Sequence, residues 1–335
     1  MLKFAIIGVG GLGKTHYRNV KEVTKKAGNV KLVALCDVED SAFSTQTATN
    51  LGDAEADLDF SAYHLYKDVE TLLEKETLDF VITALPTDIH EEVAVKVMNK
   101  GIHVFSEKPM AINLTQAENM LKVAKENNVK LMIGQCLRYS GPYLMLKDII
   151  ESEKYGKVIS ADFFRISPTP SWSWKSWMLD EAKSGGAILD LHVHDVDFIN
   201  WVFGMPKAVT SFATNYKTKH DSVNTVYHYD DKHVTATGDW GMPECFQFQS
   251  GFTVRFEAAT IVRNSEGMYL YPENGEAIEL HPTMDKMHAE EVVDFINCIR
   301  EDKESVVNPA TDSCNSLKIA LAEKVSADTG KTVML

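Results

Sequence analysis

Three glycines near the start of the chain set the strongest constraint on its fold. Gly8-Val9-Gly10-Gly11-Leu12-Gly13 follows the apolar run 4–9 and opens an amphipathic stretch. Glycines at such a turn let the backbone approach a ligand closely. The helix that follows offers free N–H groups and the positive end of its dipole. The G-x-G-x-x-G pattern alone is common, but its context here is restrictive. A second apolar run, 31–36, ends in Asp37, close to the spacing of roughly 20 residues at which a strand–helix–strand unit places a ribose-binding carboxylate. Gly8, Gly10, Gly11, Leu12 and Gly13 are therefore expected to hold a dinucleotide pyrophosphate, and Asp37 the adenosine ribose hydroxyls. No arginine occurs in Val38-Glu39-Asp40, so a 2′-phosphate would meet carboxylates. NAD is expected, with NADP the lesser possibility.

The same alternation continues through the first 135 residues. Short apolar runs at 4–9, 30–36, 80–84, 102–106 and 129–134 are separated by amphipathic stretches such as 91–100 and 115–126. Continuous apolar strands with helices between them imply a parallel sheet covered on both faces, and right-handed crossovers make it doubly wound. After about residue 150 the pattern changes. A helical block at 185–203 precedes β-type runs at 208–216, 225–229, 233–239, 253–256 and 268–271, and helices at 286–300 and 313–329 close the chain. At 335 residues the chain exceeds the usual span of one hydrophobic core. The expectation is an α/β dinucleotide-binding domain over 1–125. An α+β domain with a large, mostly antiparallel open sheet is expected over 126–335, where the substrate and subunit contacts lie. One face of that sheet is expected to be buried in a homodimer or homotetramer.

Charge and cysteines narrow the class. The formal net charge is −14 and no basic stripe occurs, so nucleic acid and anionic membranes are not expected partners. No run of 18 apolar residues suggests a membrane span. Cys36, Cys136, Cys245, Cys298 and Cys314 are odd in number and far apart, which suggests reduced thiols in a cytoplasmic enzyme.

Two further stretches carry chemistry. Leu85-Pro86-Thr87-Asp88-Ile89-His90 and Ser106-Glu107-Lys108-Pro109 follow strand patterns, and ligands of open α/β sheets bind at strand C-terminal ends. Leu85, Pro86, His90, Glu107 and Lys108 are expected on the cofactor side, with Pro109 holding Lys108 extended so that its side chain projects toward the nicotinamide. In Gly185-Gly186-Ala187-Ile188-Leu189-Asp190-Leu191-His192-Val193-His194, a helix would put Asp190 and His194 at i and i+4 on one face. A carboxylate beside an imidazole orients and tunes a general base. His192 points elsewhere and reads as structural, and Asp195 and Asp197 as capping or solvated groups. Asp190-Leu191-His192-Val193-His194 also fits D-x-H-x-H, whose histidines would share a strand face and bind zinc. The Gly-Gly entry and the helical continuation favour a helix, and no metal is expected. The run Trp172-Ser173-Trp174-Lys175-Ser176-Trp177 reads either as packing or as a wall for a sugar face, with Trp177 the expected substrate contact.

These stretches resemble the glucose–fructose oxidoreductase / inositol dehydrogenase (Gfo/Idh/MocA) family. The resemblance rests on GVGGLG at 8–13, LPTDIH at 85–90, SEKP at 106–109 and GGAILDLHVHDVDFINWVFG at 185–204, and it extends over 289–335. It implies that His194 is the acid/base, that Asp190 supports it, and that Lys108 binds the reacting oxygen and the cofactor. Gln135 and Arg138 resemble the segment facing nicotinamide and substrate. The implied activity is an NAD(P)-dependent oxidoreductase interconverting a secondary alcohol and ketone, or an aldose and its lactone, on a sugar, polyol or inositol. Alternatives within the fold are an NAD-dependent glycosidase using transient oxidation and a non-catalytic dinucleotide-sensing regulator. From the charge pattern, neither duplex DNA in a shift assay nor acidic vesicles in sedimentation should retain the protein at physiological salt. Micromolar association with either would contradict this.

Overall fold

The computed structural model describes residues 1–43, 58–284 and 286–335. In chain order it begins with β1 (Leu2–Ile7), α1 (Gly11–Ala27), β2 (Val30–Cys36), β3 (His64–Tyr66), α2 (Val69–Lys75) and β4 (Phe80–Thr83). Next come α3 (His90–Met98), β5 (His103–Glu107), α4 (Leu114–Glu126), β6 (Leu131–Gly134) and α5 (Gly141–Glu151). The later half contains β7 (Val158–Pro168), α6 (Glu181–Ser184), α7 (Val193–Phe203), β8 (Ala208–Thr214), β9 (Ser222–His228) and β10 (His233–Met242). It closes with β11 (Gln249–Phe256), β12 (Ala259–Asn264), β13 (Gly267–Pro272), β14 (Ile278–Leu280), α8 (Met287–Glu301), α9 (Ala310–Thr329) and β15 (Val333–Met334). Two compact units result. One comprises Met1–Cys136, Trp172–Lys175 and Lys286–Cys314, and the other Leu137–Ser171, Ser176–Asp285 and Asn315–Leu335.

The first unit holds a six-stranded sheet in the order β3-β2-β1-β4-β5-β6, every pair parallel. β4 and β6 are buried at all four positions, as parallel strands covered on both faces must be. Chain order reverses between β1 and β4, which opens a crevice at the strand C-terminal ends. Asp68 and Asn113 start α2 and α4 by accepting the N–H of Thr71 and Gln116.

The units divide differently from the expected break at 125. The main break falls after Cys136, and α8 belongs with the first sheet, not the second domain. Its buried face, Ala289, Val292, Phe295, Ile296 and Cys298, joins the cluster of Phe4, Phe80 and Phe105. Phe295 lies edge-on to Phe80 at 5.8 Å and to Phe105 at 5.9 Å. A helical apolar period shows that one face is buried but not which sheet covers it.

The second unit holds a nine-stranded sheet in the order β14-β13-β12-β11-β7-β10-β9-β8-β15. Only the β7–β10 pair is parallel. β7, absent from the sequence reading, is central to this sheet. Ala161, Phe163 and Arg165 lie on its buried face, where α7 packs.

Phe295→Ala should lower stability by about 3–5 kcal/mol, since it removes an aromatic ring from a close-packed cluster. Thermal unfolding monitored by circular dichroism checks this, and an unchanged midpoint would show that α8 does not anchor the first unit.

Candidate active site

The first unit builds a dinucleotide cradle from its glycines. Gly8 has φ +90°, and a Cβ there would lie 2.2 Å from the Ala84 carbonyl oxygen. A Cβ on Gly13 would lie 1.9 Å from the Gly8 carbonyl oxygen, so no side chain fits at either position. Gly10, by contrast, faces open space. No side chain caps the start of α1, so its first N–H groups stay available to a phosphate. Asp37, partly exposed, accepts the Val9 N–H at 2.7 Å and the Glu39 N–H at 2.9 Å. Its carboxylate thus ties the glycine turn to the end of β2. These features fit a dinucleotide.

The other strand ends lie beside this cradle in the sheet. Leu85 and Pro86 follow β4 and are partly exposed, as is Lys108 after β5. The Lys108–Pro109 peptide is cis. Gln135 follows β6, is buried, and its Oε1 has no hydrogen-bond partner among the described residues. An unpartnered acceptor at a strand end is a site where a ligand N–H can bind.

Two expected cofactor contacts are instead internal. His90 is buried, with Nδ1 at 2.9 Å from the Pro109 oxygen and Nε2 at 2.9 Å from the Leu85 oxygen. Burial lowers its pKa, and a neutral ring has a single N–H, so it donates to one of these two carbonyl oxygens and packs against the other. Glu107 is also buried and meets His16 Nε2 of α1 at 2.6 Å. His288 and Glu291 of α8 pair nearby at 3.1 Å. Donor atoms of His16, Glu107 and Glu291 lie within 4.8 Å of one another. The 2.6 Å contact between His16 and Glu107 is at hydrogen-bond distance. Burial pushes Glu291 up, whereas at Glu107 the His16 hydrogen bond and charge outweigh burial and hold the carboxyl low.

In the second unit the expected continuous helix begins instead as a π-turn, Ile188–His192, before α7. A π-turn takes an extra residue per turn, so the i, i+4 rule used for Asp190 and His194 does not hold strictly there. Asp190 sits within the π-turn at 8% exposure, and His194 is partly buried in the first turn of α7. π-turns recur at functional sites.

Asp195 and Asp197, expected to cap or face solvent, are buried ion-pair partners. Arg165 Nε donates to Asp195 at 2.9 Å and its Nη2 at 3.2 Å, with Tyr143 Oη accepting a further bond from Nη2 at 3.3 Å. Arg138 Nε and Nη2 donate to Asp197 at 2.8 and 2.9 Å, both side chains almost fully buried. Ser316 donates to the same carboxylate at 2.8 Å. Arg138 is therefore a structural guanidinium, not the substrate contact expected of it. A buried charge needs a partner, and Asp197 is that partner. Trp177 lies partly buried on the short 3-10 turn Trp174–Leu179.

Sequence reading missed His16, Arg165 and Glu291. The available signal was a charged or imidazole side chain interrupting an inward-facing stripe, as Glu291 does between Ala289 and Val292.

Comparison with known proteins matches both halves. Residues 2–135 match the profile of an oxidoreductase family with an NAD-binding Rossmann fold. Residues 143–276 match the GFO/IDH/MocA C-terminal domain. The inositol 2-dehydrogenase of Salmonella typhimurium is 27% identical over 206 residues, 60% of this chain and 54% of that protein. A 2,7-anhydro-N-acetylneuraminate hydratase of Mediterraneibacter gnavus is 29% identical over 213 residues, 63% of this chain and 52% of that protein. The chain spans about half the length of these curated relatives. The crystal structure of an Agrobacterium radiobacter oxidoreductase with NAD+, L-tartaric acid and magnesium has a TM-score of 0.82 at 18% identity, covering 99% of this chain and 98% of that one. That likeness speaks for the fold. With both of its units carrying the family's domains, the chain belongs to the Gfo/Idh/MocA oxidoreductase family.

Proposed function

We propose that this protein is an NAD-dependent dehydrogenase of a sugar, polyol or inositol-type substrate, interconverting a secondary alcohol and ketone or an aldose and its lactone. The observation that carries this is a conjunction. A glycine cradle and Lys108 lie at the strand ends of one sheet, and Asp190 and His194 lie at the π-turn that opens α7. Relatives named inositol 2-dehydrogenase support the substrate class.

The chain's own groups divide the work. The N–H groups at the start of α1 hold the pyrophosphate, Asp37 holds the adenosine ribose, and Gln135 Oε1 can accept a ligand N–H. When bound, the dinucleotide supplies a two-electron hydride acceptor. In oxidation, neutral His194 takes the hydroxyl proton as hydride leaves the same carbon, so the C–O bond becomes C=O. Asp190 stabilises the imidazolium that forms. The Lys108 ammonium steadies the oxygen while negative charge develops on it. Trp177 offers an aromatic wall for a sugar face.

We place the protein in the cytoplasm as a homodimer or homotetramer. All five cysteines are free thiols in the structure, and among the described residues no helix is long and apolar enough to cross a membrane. A second reading rests on the Mediterraneibacter relative, whose name is a hydratase. In that reading oxidation is transient, and turnover yields no net NADH.

The cofactor should be NAD(H) by fluorescence titration, with NADP(H) binding more weakly. Asp37→Ser should weaken NADH binding about tenfold or more, because it removes charge-assisted bonds to the ribose and the bond to Val9 N–H. Equal or tighter NADPH affinity would overturn the assignment of Asp37.

For the chemistry, a screen of polyols, inositols and aldoses with NAD should produce NADH. His194→Ala and Lys108→Ala should each lose about 10²–10⁴-fold in kcat while still binding dinucleotide. Asp190→Ala should lose less. Substrate consumption without NADH would favour the transient-oxidation reading, and dinucleotide binding with no turnover on any substrate would favour a sensor.

A further inference from the structure

We propose that Glu323, Tyr227 and His192 form a buried polar triad that sets the π-turn, and that Glu323 is a positioning residue for Asp190 and His194. This rests on the reading that Asp190 and His194 carry the chemistry. The three side chains come from α9, β9 and the π-turn, and all are essentially unexposed. His192 Nε2 lies 3.3 Å from Tyr227 Oη and 3.4 Å from Glu323 Oε2. The ring fills space left by a glycine on β10, since a Cβ on Gly238 would lie 2.8 Å from His192 Nδ1. His192 is thus gripped from three elements, and its neighbours in sequence are the proposed catalytic groups.

Among the described residues, no cationic side chain pairs with Glu323. Its neighbours are Tyr227 and His192. Around His192 stand these two plus Asp195 and Arg165, which neutralise each other as a bidentate pair. Tyr227 also feels Asp195 and Tyr229. In so dry a place burial pushes the Glu323 carboxyl up to about 8 and the His192 imidazole down to about 4. Between those values both groups are uncharged. In that state the Tyr227 hydroxyl, at 3.3 Å, and the protonated Glu323 carboxyl, at 3.4 Å, both stand against the one acceptor His192 Nε2. Above the upper value Glu323 becomes an anion with no buried counter-charge, which no longer offers His192 a proton and competes with it for the Tyr227 O–H.

The sign follows from which state holds the proton. The folded chain keeps the Glu323 proton from about pH 4.3, where an unfolded glutamate loses it, up to about 8. Stability therefore falls with rising pH over that window. His192 acts oppositely between about 4 and the unfolded value of about 6.5, where the unfolded chain binds the extra proton and stability rises with pH. The two offset one another up to about 6.5, and above it the fall due to Glu323 stands alone.

The test compares the full chain with Glu323→Gln, Tyr227→Phe and His194→Ala. Tm is followed from pH 6 to 9.5, and the imidazole NMR signal that disappears in His194→Ala is followed over the same range. The wild type should lose Tm from about pH 6.5 to about 8 and level off above it, and the His194 signal should shift with its midpoint near 8. Glu323→Gln should abolish both changes and keep NADH affinity unaltered. Tyr227→Phe, which removes a hydrogen bond that favours the ionised carboxyl, should move both to higher pH and keeps the test open if the glutamine variant does not fold. An unaltered Tm–pH slope in Glu323→Gln, or an unmoved one in Tyr227→Phe, would overturn the triad. A Tm effect without the His194 signal change would leave the triad standing and overturn its positioning role. Full activity in His194→Ala would sink the catalytic reading instead, and it would do so without touching the Tm result.

Discussion

Two arginines buried away from water hold α7, and the proposed acid–base groups depend on that helix. Arg138 grips Asp197 and Arg165 grips Asp195, each through two hydrogen bonds to one carboxylate. Such forked pairs fix orientation as well as distance. Losing one partner would strand a buried charge, which typically costs about 3–5 kcal/mol. The helix therefore has little freedom to slide or rotate, and the π-turn at its start inherits that rigidity. His192 adds a third, uncharged anchor from within the turn itself.

The first unit follows similar logic with different groups. Glu107 immediately precedes Lys108, and its carboxylate is drawn inward to His16 on the helix that begins at the glycine turn. His90 packs between the loops after β4 and β5, with one carbonyl oxygen of each at 2.9 Å from its ring nitrogens and a single N–H to donate. Asp37 ties the glycine turn to β2. The loops that would meet a dinucleotide are thus fastened to one another by buried polar contacts. A site of this kind is set before its ligand arrives, which limits the ordering entropy that binding must overcome.

Much of this architecture was legible from local pattern. The glycine turn, the parallel strands and the strand-end placement of Lys108 follow from spacing and apolar runs, and the sheet order agrees with a doubly wound reading. β7 escaped notice because Arg165 and Ser167 occupy inward positions that an apolar alternation would fill. Asp195 and Asp197 misled for the same reason, since a carboxylate on a helix reads as solvated unless its partner is known. Glu107 and His90 stand in motif positions that suggest ligand contact, yet their side chains are occupied inside the protein.

The sequence by itself determined the period of most elements and the glycine positions where no side chain fits, and it singled out Lys108, Asp190 and His194 as candidates for the chemistry. All of these are properties of neighbours along the chain. Tertiary structure decided which polar groups are consumed by one another. Arg138 meets Asp197 across 59 positions, His16 meets Glu107 across 91, and α8 returns from the far end of the chain to cover the first sheet. Whether a charge is a ligand contact or a strut depends on what burial places beside it. No local pattern carries that information, because the penalty for an unpaired buried charge is exacted only once the chain has folded.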